Sequence, residues 1–348
     1  MLFRHRTSRR WTFFLASLSG SVAALVWLLI SSALMIGPGS SRNFSGPVSG
    51  RIGLGQPGRF RLAIMSDVHN NVVGLERVTA DAAAEGADAA LILGDFTHRG
   101  LMIEKRLFLI RSAGDRLGLP VFTIIGNHDL DHGRHTGHDY RRLFGDDHYW
   151  WRFGNNLFIA INNVEPERRQ QEREWLQSVL DRQARPEDSV FLLAHKPLVD
   201  YEAEVVKWSG AIGRTLAAAV GPGKGFILSG HLHQRHEAMI DGVRVFSVAN
   251  VGDFDDRDSR VELEYLMLDC DSHRCEVARH GLGESQARSS LASLLLVDGY
   301  YFWPAWSGAS LSLTGLAAGL SHHRRRREKA IAPKSAPDLA PSLPSLFQ

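Results

Sequence analysis

The chain carries one pattern five times over: a short, unbroken apolar run that stops abruptly at small and polar residues. Phe60–Met65 runs into Ser66-Asp67-Val68-His69-Asn70, and Ala89–Leu93 into Gly94-Asp95. Val121–Ile125 ends at Gly126-Asn127-His128-Asp129, Val190–Ala194 at His195, and Phe226–Ser229 at Gly230-His231-Leu232-His233. Runs of this length, rich in Val, Ile and Leu, predict strands buried on both faces. Between them the spacing of apolar residues predicts helices over Leu75–Glu85, Ile103–Leu117 and Arg168–Gln183. The last carries Trp175, Leu176, Val179 and Leu180 on one face. Alternating strand and helix predicts an α/β core. In such cores the carboxyl ends of the strands open on one crevice where ligands bind, so five separate strands are expected to bring their polar residues together.

Two further stretches are apolar in a different way. Residues 11–36 are about 26 positions without a charge, enough to cross a bilayer as a helix. The run is longer than the core of a cleaved secretory signal, and Leu34-Met35-Ile36 before Gly37 is a poor cleavage site, so an uncleaved anchor is expected. Tyr300–Leu320 is also uncharged but rich in Ser, Gly and Ala; a second crossing and a hairpin lying on a surface both remain open. Residues 37–58, with Gly, Ser and Pro throughout, are expected to link anchor and domain. The organisation expected is therefore a basic terminus and anchor over 1–36, a linker over 37–58, and a folded domain over 59–282. An apolar, membrane-associated segment follows over 288–323 and a basic disordered tail over 324–348.

Charge sharpens this picture. The net charge is +2, but Arg4, Arg6, Arg9 and Arg10 precede the anchor and Arg324–Arg327 head the tail, which leaves the middle of the chain near −6. Arginines before the first apolar run predict a cytoplasmic N-terminus and an extracytoplasmic domain. An acidic middle is a poor footprint for nucleic acid and is suited to bound cations. The two cysteines, Cys270 and Cys275, flank a four-residue turn between two expected strands; a disulfide and a pair of unbonded core thiols are both open.

The polar residues that end the five runs are imidazoles, carboxylates and one carboxamide, a donor set suited to divalent Mn, Fe, Zn, Ni or Co. The glycines before Asp95, Asn127 and His231 fit tight strand-to-loop turns where a side chain would crowd the backbone. Each motif alone is a common turn, but the ordered set of five is not.

As a set, Asp67-x-His69, Gly94-Asp95, Gly126-Asn127-His128-Asp129, His195 and Gly230-His231-x-His233 resemble the calcineurin-like metallophosphoesterase family, over about residues 60–250. The resemblance implies a β-sandwich flanked by helices and a two-metal phosphoester hydrolase in which a metal-bridging hydroxide attacks phosphorus. It assigns Asp67, His69 and His233 to one metal, Asn127, His195 and His231 to the other, and Asp95 to both. His128 would be the catalytic histidine beside the leaving group, with Asp129 orienting it, and Asn127 and His128 would also face substrate. The stretch Gly94-Asp95-Phe-Thr-His-Arg99-Gly100 is similar to the protein-phosphatase branch of the family, which implies that Arg99 approaches phosphate; a surface ion pair is the other reading. No ligand of the pattern is missing.

Three readings of function remain open: a membrane-tethered phosphodiesterase or phosphomonoesterase, a hydrolase of lipid headgroups or lipid-linked nucleotide pyrophosphates, and a catalytically silent metal-binding scaffold. The extra histidines His132, His135 and His138 either contact substrate or an ion or belong to a solvated loop. The acidic run from Asp253 to Asp258 is read as a surface turn, with lining or capping the rim of the site as the other reading.

Overall fold

Burial on both faces is what organises the domain. A computed structural model of the chain describes residues 58–69, 71–97, 119–130, 137–201, 205–252 and 260–286, with Val22, Asn43 and residues 45–47 in addition. The strands are β1 (Gly46–Pro47), β2 (Arg59–Met65), β3 (Ala89–Ile92), β4 (Val121–Thr123), β5 (Tyr149–Phe153), β6 (Asn156–Ala160) and β7 (Ser189–Leu193). They continue with β8 (Val199–Asp200), β9 (Lys207–Trp208), β10 (Gly225–Ser229), β11 (His236–Ile240), β12 (Val243–Ser247), β13 (Arg260–Asp271) and β14 (Cys275–Gln286). The described helices are α1 (Val72–Ala84), α2 (His138–Phe144), α3 (Arg169–Gln183) and α4 (Ala211–Ala219).

The strands form a seven-stranded sheet ordered β1-β5-β6-β7-β10-β12-β11 and a five-stranded sheet ordered β14-β13-β2-β3-β4, with β8 and β9 in a small ribbon. The expected strands β2, β3 and β4 lie side by side and parallel in one sheet, and β7 and β10 lie side by side and parallel in the other. Alternation along each strand then separates three cores. Phe60, Leu62 and Ile64 of β2 pack with Phe158 of β6 and Phe191 of β7 between the sheets. Ala63 and Met65 on the opposite face of β2 pack with Leu75 and Val78 of α1. On the far side of the larger sheet, Leu192 and Ile227 pack with Leu176, Val179 and Leu180 of α3 and with Leu216 of α4. The result is two facing sheets with helices outside, the sandwich that the family resemblance implies.

α1 begins three residues before the expected position because buried Asn71 caps it. Its side chain accepts the Gly74 N–H at 2.9 Å and donates to the Val251 carbonyl at 2.8 Å. Part of the stretch expected as linker docks on the domain. Gly46–Pro47 adds an edge strand to β5, a position where the missing N–H of Pro is tolerated, and the buried Asn43 side chain bonds Thr123 and the Asp146 carbonyl. Cys270 and Cys275 face each other across the β13–β14 hairpin and are bonded.

Among the described residues no helix is long and apolar enough to cross a membrane. Apart from Val22, residues 11–36 lie outside the described residues, as do 300–320, the expected helix over 103–117, Arg99, His98, His132, His135 and the acidic run over 253–258.

The inter-sheet core is held by a ladder of rings in which Phe191 stacks 4.7 Å from Phe158 and 4.6 Å from Phe226. Phe191→Ala is expected to lower the unfolding free energy by about 3–5 kcal/mol. Denaturant titration measures this, and a loss below about 1 kcal/mol would contradict the placement of Phe191 at the centre of that core.

Candidate metal centre

The carboxyl ends of β2, β3 and β4 meet those of β7 and β10 along one edge of the sandwich. Asp67 and His69 follow β2, Asp95 follows β3, and Asn127-His128-Asp129 form a 3-10 turn after β4. His195 follows β7, and His231 and His233 follow β10. Backbone bonds lace these turns together. Asp67 N–H donates to the Gly94 carbonyl at 3.1 Å, His69 N–H to the Asp95 carbonyl at 2.9 Å, and Gly230 N–H to the His195 carbonyl at 3.0 Å. The two sheets are joined directly by His231 N–H, which donates to Asp67 Oδ2 at 2.9 Å.

The turns are as tight as their glycines imply. A Cβ on Gly94, whose φ is +91°, would lie 2.7 Å from the Gly126 nitrogen and from His195 Nδ1. One on Gly126 would fall on the Asp95 backbone and carboxylate, and one on Gly230 on the Ser66 hydroxyl. Six described non-glycine residues have positive φ; five of them are Asp67, His69, Asp95, His231 and His233. Such conformations are costly for side chains with a Cβ and gather where the fold imposes them for function.

Two groups of donor atoms result: Asp67, His69 and His233, and Asp95, His195 and His231, each within 4.8 Å of one another. His195 Nδ1 donates to the Leu93 carbonyl at 2.7 Å, so its Nε2 presents a lone pair. That lone pair faces Asn127 Oδ1 at 3.0 Å and Asp95 Oδ2 at 3.3 Å, both of them acceptors as well. His69 Nδ1 lies 3.4 Å from the Thr97 carbonyl, which leaves its Nε2 facing His233 Nε2 at 3.0 Å. Asp67 Oδ1 is buried and has no hydrogen bond of acceptable geometry, although His233 Nε2 stands 3.3 Å away. Unless a proton or a cation comes between them, these converging acceptors repel one another, and a cation among them turns that repulsion into attraction. The residues present therefore fit two divalent ions.

The same crowding controls protonation. Burial opposes a charge on His195, but the carboxylates of Asp95 and Asp67 outweigh it and push its pKa up to about 9. Burial also works against the charges of Asp95 and Asp67, yet the neighbouring histidines hold both carboxyls below their usual range. Burial pushes His69 down to about 4 and, helped by the charge of His195, His231 down to about 4. Burial also opposes a charge on His233, but Asp67 outweighs it and raises its pKa, so without metal protons on His195 and His233 supply the countercharge that divalent ions would replace.

His128 stands at the open side, with its side chain 21% exposed and Nε2 3.9 Å from Asp95 Oδ2. Its position is set through the backbone: His128 N–H donates to Asp95 Oδ1 at 2.8 Å, and its carbonyl accepts the Thr97 hydroxyl at 3.0 Å. The Asp129 carboxylate accepts the Gly126 N–H at 2.9 Å and the Thr97 N–H at 3.1 Å, which ties together the loops on either side of His128. Burial and the nearby Asp95 push Asp129 up to about 7. Thr97 and the Leu93 carbonyl, which orient His69, His128 and His195, were not singled out from the sequence; backbone carbonyls leave no residue signature. Of the other histidines, His138 is exposed at the start of α2, His148 bonds Glu172 and stacks on Trp175, and His236 stacks on Tyr201. None of the three belongs to either donor group.

No curated protein sequence matches the chain. Among solved structures, a dimetal phosphatase from Danio rerio is 14% identical, with 66% of this chain and 98% of that one covered at a TM-score of 0.49. Purple acid phosphatase PPD1 from yellow lupin seeds is 14% identical over 69% of this chain and 56% of that one, at 0.47. A metallophosphoesterase from Sphaerobacter thermophilus is 17% identical over 72% and 100%, at 0.38. The family model described as calcineurin-like phosphoesterase matches residues 60–235, just over half of the chain. On that match, the chain belongs to the calcineurin-like phosphoesterases, metal-dependent hydrolases of phosphoesters that use two divalent ions.

Proposed function

We propose that this protein hydrolyses phosphoesters directly, without a phospho-enzyme, in a domain tethered to the extracytoplasmic face of a membrane. The observation that carries the catalytic part is the meeting of seven lone-pair donors from five strand ends at one edge of the sandwich. Asp67, His69 and His233 would hold one ion, Asn127, His195 and His231 the other, and Asp95 both. When bound, the two ions polarise a phosphoryl oxygen and make a nearby water more acidic. The chain's own residues do the rest. The second nitrogens of His69 and His195, anchored on the Thr97 and Leu93 carbonyls, keep the ligand lone pairs aimed inward. His128 holds a proton at Nε2 within reach of the leaving oxygen and donates it as the ester bond breaks. Asp129 and Thr97 hold the His128 turn in place through its backbone.

Residues 11–36 support the tether, being uncharged and preceded by four arginines. The Cys270–Cys275 bond supports the extracytoplasmic side, since disulfides persist in oxidising compartments.

Asp95→Asn is expected to lose most of the bound metal and nearly all hydrolysis. His128→Ala should keep both metals while kcat falls about a hundredfold or more on an ester with a poor leaving group, and far less on a nitrophenyl ester. Metal analysis with steady-state kinetics checks both, and unchanged turnover of a poor-leaving-group ester by His128→Ala would remove His128 from the mechanism. For the tether, the full chain should stay with membranes through an alkaline carbonate wash, and a chain lacking residues 1–36 should be released. Release of the full chain, or retention of the shortened one, would contradict anchoring by that segment.

A further inference from the structure

One cation beside the metal centre has no part in the account so far. Lys196 directly follows His195 in the turn that leaves β7, and it is half-buried. Among the described residues its ammonium has no hydrogen bond or ion pair. Other partly buried cations of the domain are engaged: Arg152 pairs with Asp188 at 2.6 Å, and Arg168 with Asp147 at 2.6 Å and Glu172 at 2.8 Å. A lysine in this half-buried position with no counterion leaves its positive charge available to an arriving anion.

The backbone of Lys196 is held more firmly than a plain turn requires. Asn163, just beyond β6, donates through Nδ2 to the Lys196 carbonyl at 2.7 Å and accepts the Lys196 N–H on Oδ1 at 3.1 Å. This two-bond clamp joins the turns after the neighbouring parallel strands β6 and β7. It fixes where the Lys196 side chain begins, one residue from a metal-site histidine. The ammonium is also close enough to His231 for its charge to oppose protonation of that ring.

Charge balance indicates what would meet it. Two divalent ions bring four positive charges, and Asp67 and Asp95 return two, so the centre alone suits a dianion. A third positive charge at its edge adds most to a phosphoryl group with two ionised oxygens. It adds less to a diester, which has one.

We propose that Lys196 is a substrate-binding residue whose ammonium takes an ionised phosphoryl oxygen and biases the site toward phosphomonoesters over phosphodiesters, with Asn163 as its positioning residue. This rests on the hydrolase reading above.

The test uses the full chain as wild type, Lys196→Gln, Lys196→Arg and Asn163→Ala. Metal content is measured alongside kinetics on p-nitrophenyl phosphate and bis-p-nitrophenyl phosphate and inhibition by inorganic phosphate. Lys196→Gln should keep its metals, while the phosphate inhibition constant and the monoester KM rise about tenfold; the diester KM should change by about twofold or less. Lys196→Arg should recover most of the phosphate affinity, and Asn163→Ala should weaken it in the same direction as Lys196→Gln, by less. Unchanged phosphate inhibition in Lys196→Gln, or equal losses on both esters, would overturn the role of Lys196 while leaving the hydrolase reading intact. A wild type that binds no metal or cleaves neither ester would instead overturn that reading, and the proposal with it.

Discussion

The repulsion among acceptor atoms at the open edge of the sandwich is the constraint on which the rest of the site depends. Asp67 and Asp95 are buried carboxylates, and around them stand imidazole nitrogens and a carboxamide oxygen whose lone pairs point at one another. Burying such a set without a cation costs several kcal/mol per ionised group. In the metal-free protein the cost is offset in part by protons: the carboxylates of Asp95 and Asp67 outweigh burial at His195 and push it up to about 9, whereas burial pushes His69 down to about 4 and leaves it neutral. Two divalent ions resolve the same conflict without protons. They also leave the histidine–carbonyl bonds at Leu93 and Thr97 intact.

Holding these atoms in place requires strain that the two sheets absorb. Five of the candidate ligands adopt left-handed backbone conformations, and Gly94, Gly126 and Gly230 sit where any side chain would strike a neighbouring turn. The parallel strands behind the turns are buried on both faces, and β2, β3, β7 and β10 are paired on both sides, so their turns cannot relax without breaking the sheet ladders. The bond from His231 N–H to Asp67 Oδ2 carries this coupling across the sandwich. The geometry of one sheet thereby depends on the other.

How much of this was legible beforehand differs by element. β2, β3, β4, β7 and β10 were legible because strands buried on both faces leave unbroken apolar runs, and their ligands because each stands where such a run stops. β5, β11 and β12 were not singled out. β11 is an edge strand, half-exposed along its length with Met239 open to solvent, so it alternates weakly. The start of α1 was missed because Asn71 caps it from a position that the apolar spacing does not mark. Asn43 and Gly46–Pro47 lie in a stretch whose Gly, Ser and Pro content signals a linker, yet a single buried carboxamide and one edge pairing dock them on the domain. At the site, side-chain chemistry was visible and backbone chemistry was not. The Leu93 and Thr97 carbonyls and the bonds of Asp129 to main-chain N–H groups depend on how loops meet. The clamp of Asn163 on Lys196 joins residues 33 positions apart and leaves no trace in spacing.

The most direct test of the central claim is a crystal structure of the full chain grown with manganese, with anomalous data locating the ions and elemental analysis counting them. The account predicts two peaks, one among Asp67, His69 and His233 and one among Asn127, His195 and His231, with Asp95 touching both and close to two metals per chain. A folded protein with no metal at this edge of the sandwich, or with metal held elsewhere while Asp67 and Asp95 face only protonated histidines, would contradict it.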